Sequence, residues 1–137
     1  MPNERHRAIF DTNIWVSFLL TSDFSKIDPP FKSNELTLLF SQELLDEFIE
    51  VAQRPKFKKY FSTTDLQNLI SKIRIHAEFV LVTSSFDLCR DYKDNFLLAL
   101  AHDGKASHLI TGDKDLLVLE RLDKTEILTI TDYFEQK

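Results

Sequence analysis

Five short apolar runs, separated by longer stretches of helical spacing, constrain this fold more than any other feature of the sequence. The runs are Ala8-Ile9-Phe10, Leu36-Thr37-Leu38-Leu39-Phe40, Phe79-Val80-Leu81-Val82-Thr83, His108-Leu109-Ile110-Thr111 and Ile127-Leu128-Thr129-Ile130. Each is apolar on both faces or nearly so, as strands are when helices cover both sides of a parallel sheet. Between them lie helical patterns. Residues 14–20 are apolar almost throughout, and Ser41 can cap a helix carrying Leu44, Leu45, Phe48, Ile49 and Ala52. Thr63 or Thr64 can cap another, with Leu66, Leu69, Ile70, Ile73 and Ala77 on its apolar side. Asp94 precedes a buried helix that ends near Gly104; a short helix follows Lys114, and one more starts near Thr131. Residues 21–34 have no period and contain Asp28-Pro29-Pro30, so they read as loop with room for a short helix. Strand–helix alternation requires parallel strands joined by right-handed crossovers. The expected fold class is α/β, a three-layer α/β/α sandwich around a sheet of about five strands. No linker, repeat or low-complexity tract divides the 137 residues, so residues 1–137 read as one domain.

Charge and cysteine content narrow the function. Acidic residues outnumber basic ones, 22 to 17. That balance opposes polyanion binding through overall positive charge, yet cations can reverse the sign of a local site. The one cysteine, Cys89, cannot form an internal disulfide or a cysteine zinc site, which points to a reducing compartment. His6, His76, His102 and His108 show no metal-ligand spacing. No apolar signal region follows the N-terminus, and no stretch approaches the roughly 18 apolar residues of a membrane span. The expectation is a soluble cytoplasmic protein. Both glycines, Gly104 and Gly112, bracket the fourth run, where a positive φ or a close backbone approach is the usual reason for glycine.

Ligands of open parallel sheets bind beyond the carboxyl ends of the strands. After the first run stands Asp11-Thr12-Asn13, and after the fourth Gly112-Asp113-Lys114-Asp115; Asp94 opens the helix that leads into the fourth. Each acid has an ordinary reading as a helix cap or turn residue. Together on one sheet edge they would repel one another unless cations neutralise them. Hard divalent ions such as Mg²⁺ and Mn²⁺ prefer carboxylate oxygen, and such pockets serve phosphodiester hydrolysis. The helix after Ser41 offers Glu43, Asp46, Glu47 and Glu50; Asp46 and Glu47 flank its apolar face, and geometry does not choose between them. Arg54-Pro55-Lys56-Phe57-Lys58-Lys59-Tyr60 joins cations for phosphate to aromatic rings for stacking, although Phe57 and Tyr60 also suit a core. A receiver-like phospho-acceptor needs an acid directly after the third run, where Ser84-Ser85 stands. A haloacid-dehalogenase-type phosphatase needs an aspartate where Asn13 stands.

Four segments, in order, resemble the PIN-domain family of nucleases, particularly the toxin-like PIN proteins of prokaryotic toxin–antitoxin systems. They are Ile9-Phe10-Asp11-Thr12-Asn13-Ile14, Ser41-Gln42-Glu43-Leu44-Leu45-Asp46-Glu47-Phe48, residues 90–101 around Asp94, and Leu109-Ile110-Thr111-Gly112-Asp113-Lys114-Asp115-Leu116-Leu117. The resemblance implies strand order 3-2-1-4-5 and an acidic pocket of Asp11, Glu47, Asp94, Asp113 and Asp115. Asp11, Asp94 and Asp113 would hold the principal metal, and Thr12, Asn13 and Thr111 would support the site. It implies Mg²⁺- or Mn²⁺-dependent endonucleolytic cleavage of single-stranded RNA by metal-activated water, a small antitoxin partner and a homodimer. Arg54, Lys56, Lys58 and Lys59 are the candidate RNA contacts. Asn95 departs from the pattern, since close relatives often carry a further acid there. The alternative is a PIN fold used as a binding module with weak or no nuclease activity. The five acids equal the excess of acidic over basic residues, so the net charge of -5 can sit largely in one pocket.

Overall fold

The first apolar run occupies the middle of the sheet. The protein is described by a computed structural model that covers residues 6–21, 36–88 and 94–136. Strand β1 (His6–Phe10) pairs in parallel with β2 (Leu36–Phe40) on one side and with β4 (His108–Ile110) on the other. Beyond β2 lies β3 (Glu78–Phe79), and beyond β4 lies β6 (Thr125–Leu128), both parallel. A short strand β5 (Arg121–Leu122) pairs antiparallel to β6 at the edge, giving the order β3-β2-β1-β4-β6-β5. The expected order 3-2-1-4-5 is therefore present in the parallel part, with β6 as the fifth run. The sixth strand is an addition: residues 121–125 double back through Asp123, whose φ of 53° is left-handed.

Seven helices among the described residues connect and cover the strands: α1 (Thr12–Thr21), α2 (Gln42–Ala52), α3 (Pro55–Lys58), α4 (Thr63–His76), α5 (Asn95–Asp103), α6 (Lys114–Leu117) and α7 (Ile130–Glu135). Ala8, Ile9 and Phe10 are each fully buried although they alternate faces, so both faces of the sheet are covered. Phe10, Trp15, Phe18 and Phe40 form an aromatic cluster between β1, β2 and α1, with ring centroids 5.2 to 5.9 Å apart. Ser41 caps α2 as its sequence suggests. The cap of α4 is Ser62 rather than Thr63 or Thr64: its hydroxyl accepts the Asp65 N–H, and the Asp65 carboxylate accepts the Ser62 N–H. At the opposite end of the sheet His6, His108 and Tyr133 stack together and fix α7 there, with His6 Nδ1 2.9 Å from the Tyr133 hydroxyl. Burial, and then the charge of His6, hold the His108 imidazole below its ordinary pKa.

The third run departs most from expectation. Only its first residue, Phe79, lies in β3, which begins one residue earlier at Glu78, and Leu81 is 87% exposed. Past Val80 the backbone leaves the ladder, because the N–H groups of Thr83 and Ser84 are taken by the Asp103 carboxylate. Beyond Thr21, the predicted loop over residues 21–34 lies outside the described residues, as do Cys89 and residues 90–93.

Neither glycine has a positive φ, which leaves close backbone approach as the reason to examine at each. Helix α5 ends in a Schellman turn, with Ala106 N–H bonded to Ala101 O and Lys105 N–H to His102 O. The left-handed residue of that turn is Lys105, at φ 53°. Gly104 instead permits close approach: an added Cβ would meet Leu100 O at 2.9 Å and Leu39 Cδ1 at 3.0 Å. An added Cβ at Gly112 meets nothing within 4 Å. Gly104→Ala is expected to lose about 1–3 kcal/mol in urea unfolding, the usual cost of overpacking, and Gly112→Ala close to none.

Candidate functional site

Parallel pairing of β1 with β4 sets the residues that follow them side by side. The Asp11 N–H bonds to Ile110 O at 3.0 Å, so Asp11 and Thr111 emerge together at the carboxyl edge of the sheet. The Asp11 side chain is 6% exposed. Its Oδ1 accepts the Ile14 N–H at 3.2 Å, which caps α1, and its Oδ2 accepts the Thr111 hydroxyl. The Thr111 oxygen accepts the Asp113 N–H at 3.0 Å, and Asp113 Oδ1 accepts the Asp115 N–H at 2.8 Å to begin α6. One residue after Asp11, the Thr12 hydroxyl donates to Glu47 Oε1 and ties α2 to the same edge. Two threonine hydroxyls thus link the ends of β1 and β4 to the half-buried Glu47.

Burial pushes the Asp11 carboxyl above its ordinary pKa. The Thr111 hydroxyl and the N–H groups of Ile14 and Asn13 oppose that rise, while the negative charge of Asp113 adds to it. Among the described residues no lysine or arginine forms an ion pair with Asp11, Glu47, Asp113 or Asp115. Nor do three Asp, Glu, His or Cys side chains stand close enough to grip one metal ion directly among the described residues.

The other predicted residues take these places. Asp94 occupies the N-cap position of α5, but its backbone is helical and its side chain makes no cap bond. Asn95 is 7% exposed and its Oδ1 accepts the Leu88 N–H at 3.1 Å, so it braces the preceding segment. Asn13 is exposed and reaches Asp11 through its backbone. Asp46 bonds to Gln42 Nε2 on the exposed side of α2, which separates it from Glu47. Arg54, Lys56, Lys58 and Lys59 are exposed around α3, with Arg54 paired to Glu50 at 3.1 Å. Tyr60 is 62% exposed, Phe57 is half-buried, and Lys59 Nζ lies 5.3 Å from the Tyr60 ring centre. Sequence reasoning missed Asp103 and Ser84, whose contact is non-local. The run Thr83-Ser84-Ser85 after the third strand was the available signal.

A PIN domain family model matches residues 7–115. The chain belongs to the PIN-domain family. The match spans β1 through Asp115 and so takes in all five acids. The PIN domain is a nuclease-type fold whose members typically use divalent metals. The chain is also 30% identical to the uncharacterized protein MJ1680 of Methanocaldococcus jannaschii, over 96% of this chain and 85% of that one.

The raised Asp11 pKa has a stability consequence in this PIN domain. A group whose folded pKa lies above its unfolded value contributes fully below the unfolded value, near 3.8, and loses that contribution as pH rises through the folded value. Above the folded value the ionised Asp11 no longer makes that contribution. Asp11→Asn should melt a few degrees above the native protein at pH 7 without divalent ions, with the gap closing below about pH 4. A lower melting point for the variant at pH 7 would contradict this account.

Proposed function

We propose that the protein is a Mg²⁺- or Mn²⁺-dependent endoribonuclease that cleaves single-stranded RNA. The observation that carries the reading is the pair of neighbouring carboxylates, Asp11 and Asp113, joined through Thr111 without a cationic partner among the described residues. Mg²⁺ keeps several waters and is commonly bound by one or two carboxylates plus substrate phosphates, so a site without a three-ligand cage suits it. Asp11 and Asp113 would hold the ion directly, with Asp94, Glu47 and Asp115 engaging its waters. Bound metal supplies Lewis-acid charge at the phosphate and lowers the pKa of a coordinated water.

The chain's own groups do the positioning. Thr111 fixes the Asp11 carboxylate, and Thr12 holds Glu47 towards the sheet edge, where it can orient a water for attack. Lys56, Lys58 and Lys59, with the exposed Tyr60 ring, would contact phosphates and a base of the strand; Arg54 must first leave Glu50. By family, the reading extends to a cytoplasmic toxin of a toxin–antitoxin system, acting as a homodimer and inhibited by a small antitoxin. A PIN-fold binding module with weak or no nuclease activity is the second reading.

Purified protein should cleave single-stranded RNA with Mg²⁺ or Mn²⁺ and stop on chelation. Asp11→Asn or Asp113→Asn should lower the rate at least about a hundredfold while the fold persists by circular dichroism. Unchanged cleavage in both variants would sink the assignment. A folded native protein that binds RNA without cutting it would favour the binding module. Inhibition by the product of a neighbouring gene would support the toxin role.

A further inference from the structure

Residues 83–88 are strapped along α5 by that helix's two ends. At one end the Asp103 carboxylate accepts the N–H groups of Thr83 and Ser84 at 2.7 and 2.9 Å, and also the Ser84 hydroxyl. The Ser84 and Thr83 bonds hold the Asp103 carboxyl down to about 2. At the other end Asn95 accepts the Leu88 N–H. Between strap and helix lies a cavity of about 440 Å³, lined by Phe86, Phe96, Asn95, Ser85, Glu43 and Asp87 among others. Its size suits a small-molecule site, and the strap holds it open without a ligand.

The lining selects the ligand. Among the described residues it contains no lysine, arginine or histidine, and its two carboxylates repel phosphate. Two phenylalanines offer apolar surface to a flat ring, as single-strand RNA sites do. A carboxylate accepts two parallel bonds from a neighbouring pair of N–H donors. Guanine presents that pair, N1–H beside the 2-amino group, on its Watson–Crick edge. Uracil presents carbonyl oxygens on both sides of its single N–H and would be repelled. The cavity also adjoins the candidate site: Asn95 follows Asp94, and Glu43 lies one helical turn before Glu47.

We propose that this cavity is a guanine-binding subsite that sets which nucleotide of the RNA strand lies beside the acidic edge. The proposal rests on the ribonuclease reading. Phe86 and Phe96 sandwich or flank the base, and Glu43 and Asp87 accept its donors.

The test uses the full chain and short single-stranded RNA. Binding is read by fluorescence anisotropy in the Asp11→Asn protein, and kinetics in the native one. An oligouridine carrying one guanosine should bind about tenfold more tightly than oligouridine alone. Inosine, which lacks the 2-amino group, should lose most of that gain. In Glu43→Gln/Asp87→Asn, two exposed positions, the preference should vanish through KM while kcat at saturation stays within about twofold. RNA that is bound and cleaved with no guanosine preference, or with a preference the double variant keeps, would overturn the subsite and leave the ribonuclease reading standing. Failure to bind or cleave any RNA would overturn both. Displacement from the cavity by an arginine-rich peptide but not by guanosine monophosphate would overturn the subsite in favour of a protein ligand.

Discussion

The Asp11 carboxylate, buried at the end of the central strand, is the constraint on which the rest of the site depends. Water would ordinarily solvate such a group, and here almost none reaches it. Desolvation raises its pKa, and neighbouring Asp113 adds to the rise. The fold answers with a hydroxyl from Thr111 and N–H groups from the first turn of α1. Those donors reduce the penalty without cancelling it. A strand-end carboxylate that is held in place yet still unfavourable when charged is predisposed to take a cation.

The neighbouring elements acquire their places from that carboxylate. Capping by Asp11 sets the start of α1, and Thr12 then points at Glu47 and fixes α2. Thr111 relays the contact to Asp113, whose side chain starts α6. Asp94 and Asp113 share a helix-start position but differ in use: Asp113 caps its helix, and Asp94 does not. On the far side of α5 the same economy of acids recurs, since Asp103 binds backbone N–H groups and shapes the strap over residues 83–88.

Much of this was legible because burial and local capping write themselves into sequence. Ala8-Ile9-Phe10 and His108-Leu109-Ile110 are apolar on both faces and form the covered centre of the sheet. Ser41 and Asp11 read as caps and are caps. Non-local effects were not legible. The run from Phe79 looks like a full strand, but Asp103, 20 residues from Thr83, diverts its N–H groups. The hairpin at residues 121–125 is too short and too polar to register as a strand pair. That Glu47 rather than Asp46 meets Thr12 follows from the orientation of α2, which periodicity alone does not supply. Of the two reasons a glycine offers in that segment, Gly104 serves closeness to Leu39 rather than left-handed backbone, a choice that depends on non-local packing.

The most direct measurement is the titration of the Asp11 side-chain carboxyl by carbon-detected NMR, with and without Mg²⁺. In metal-free protein its midpoint should lie above the ordinary value of 3.8. Adding Mg²⁺ should bring it down, because a cation favours the charged form. A midpoint at or below 3.8 without metal, or one that Mg²⁺ leaves unmoved, would contradict the account of Asp11 as the buried carboxylate around which a cation site is built.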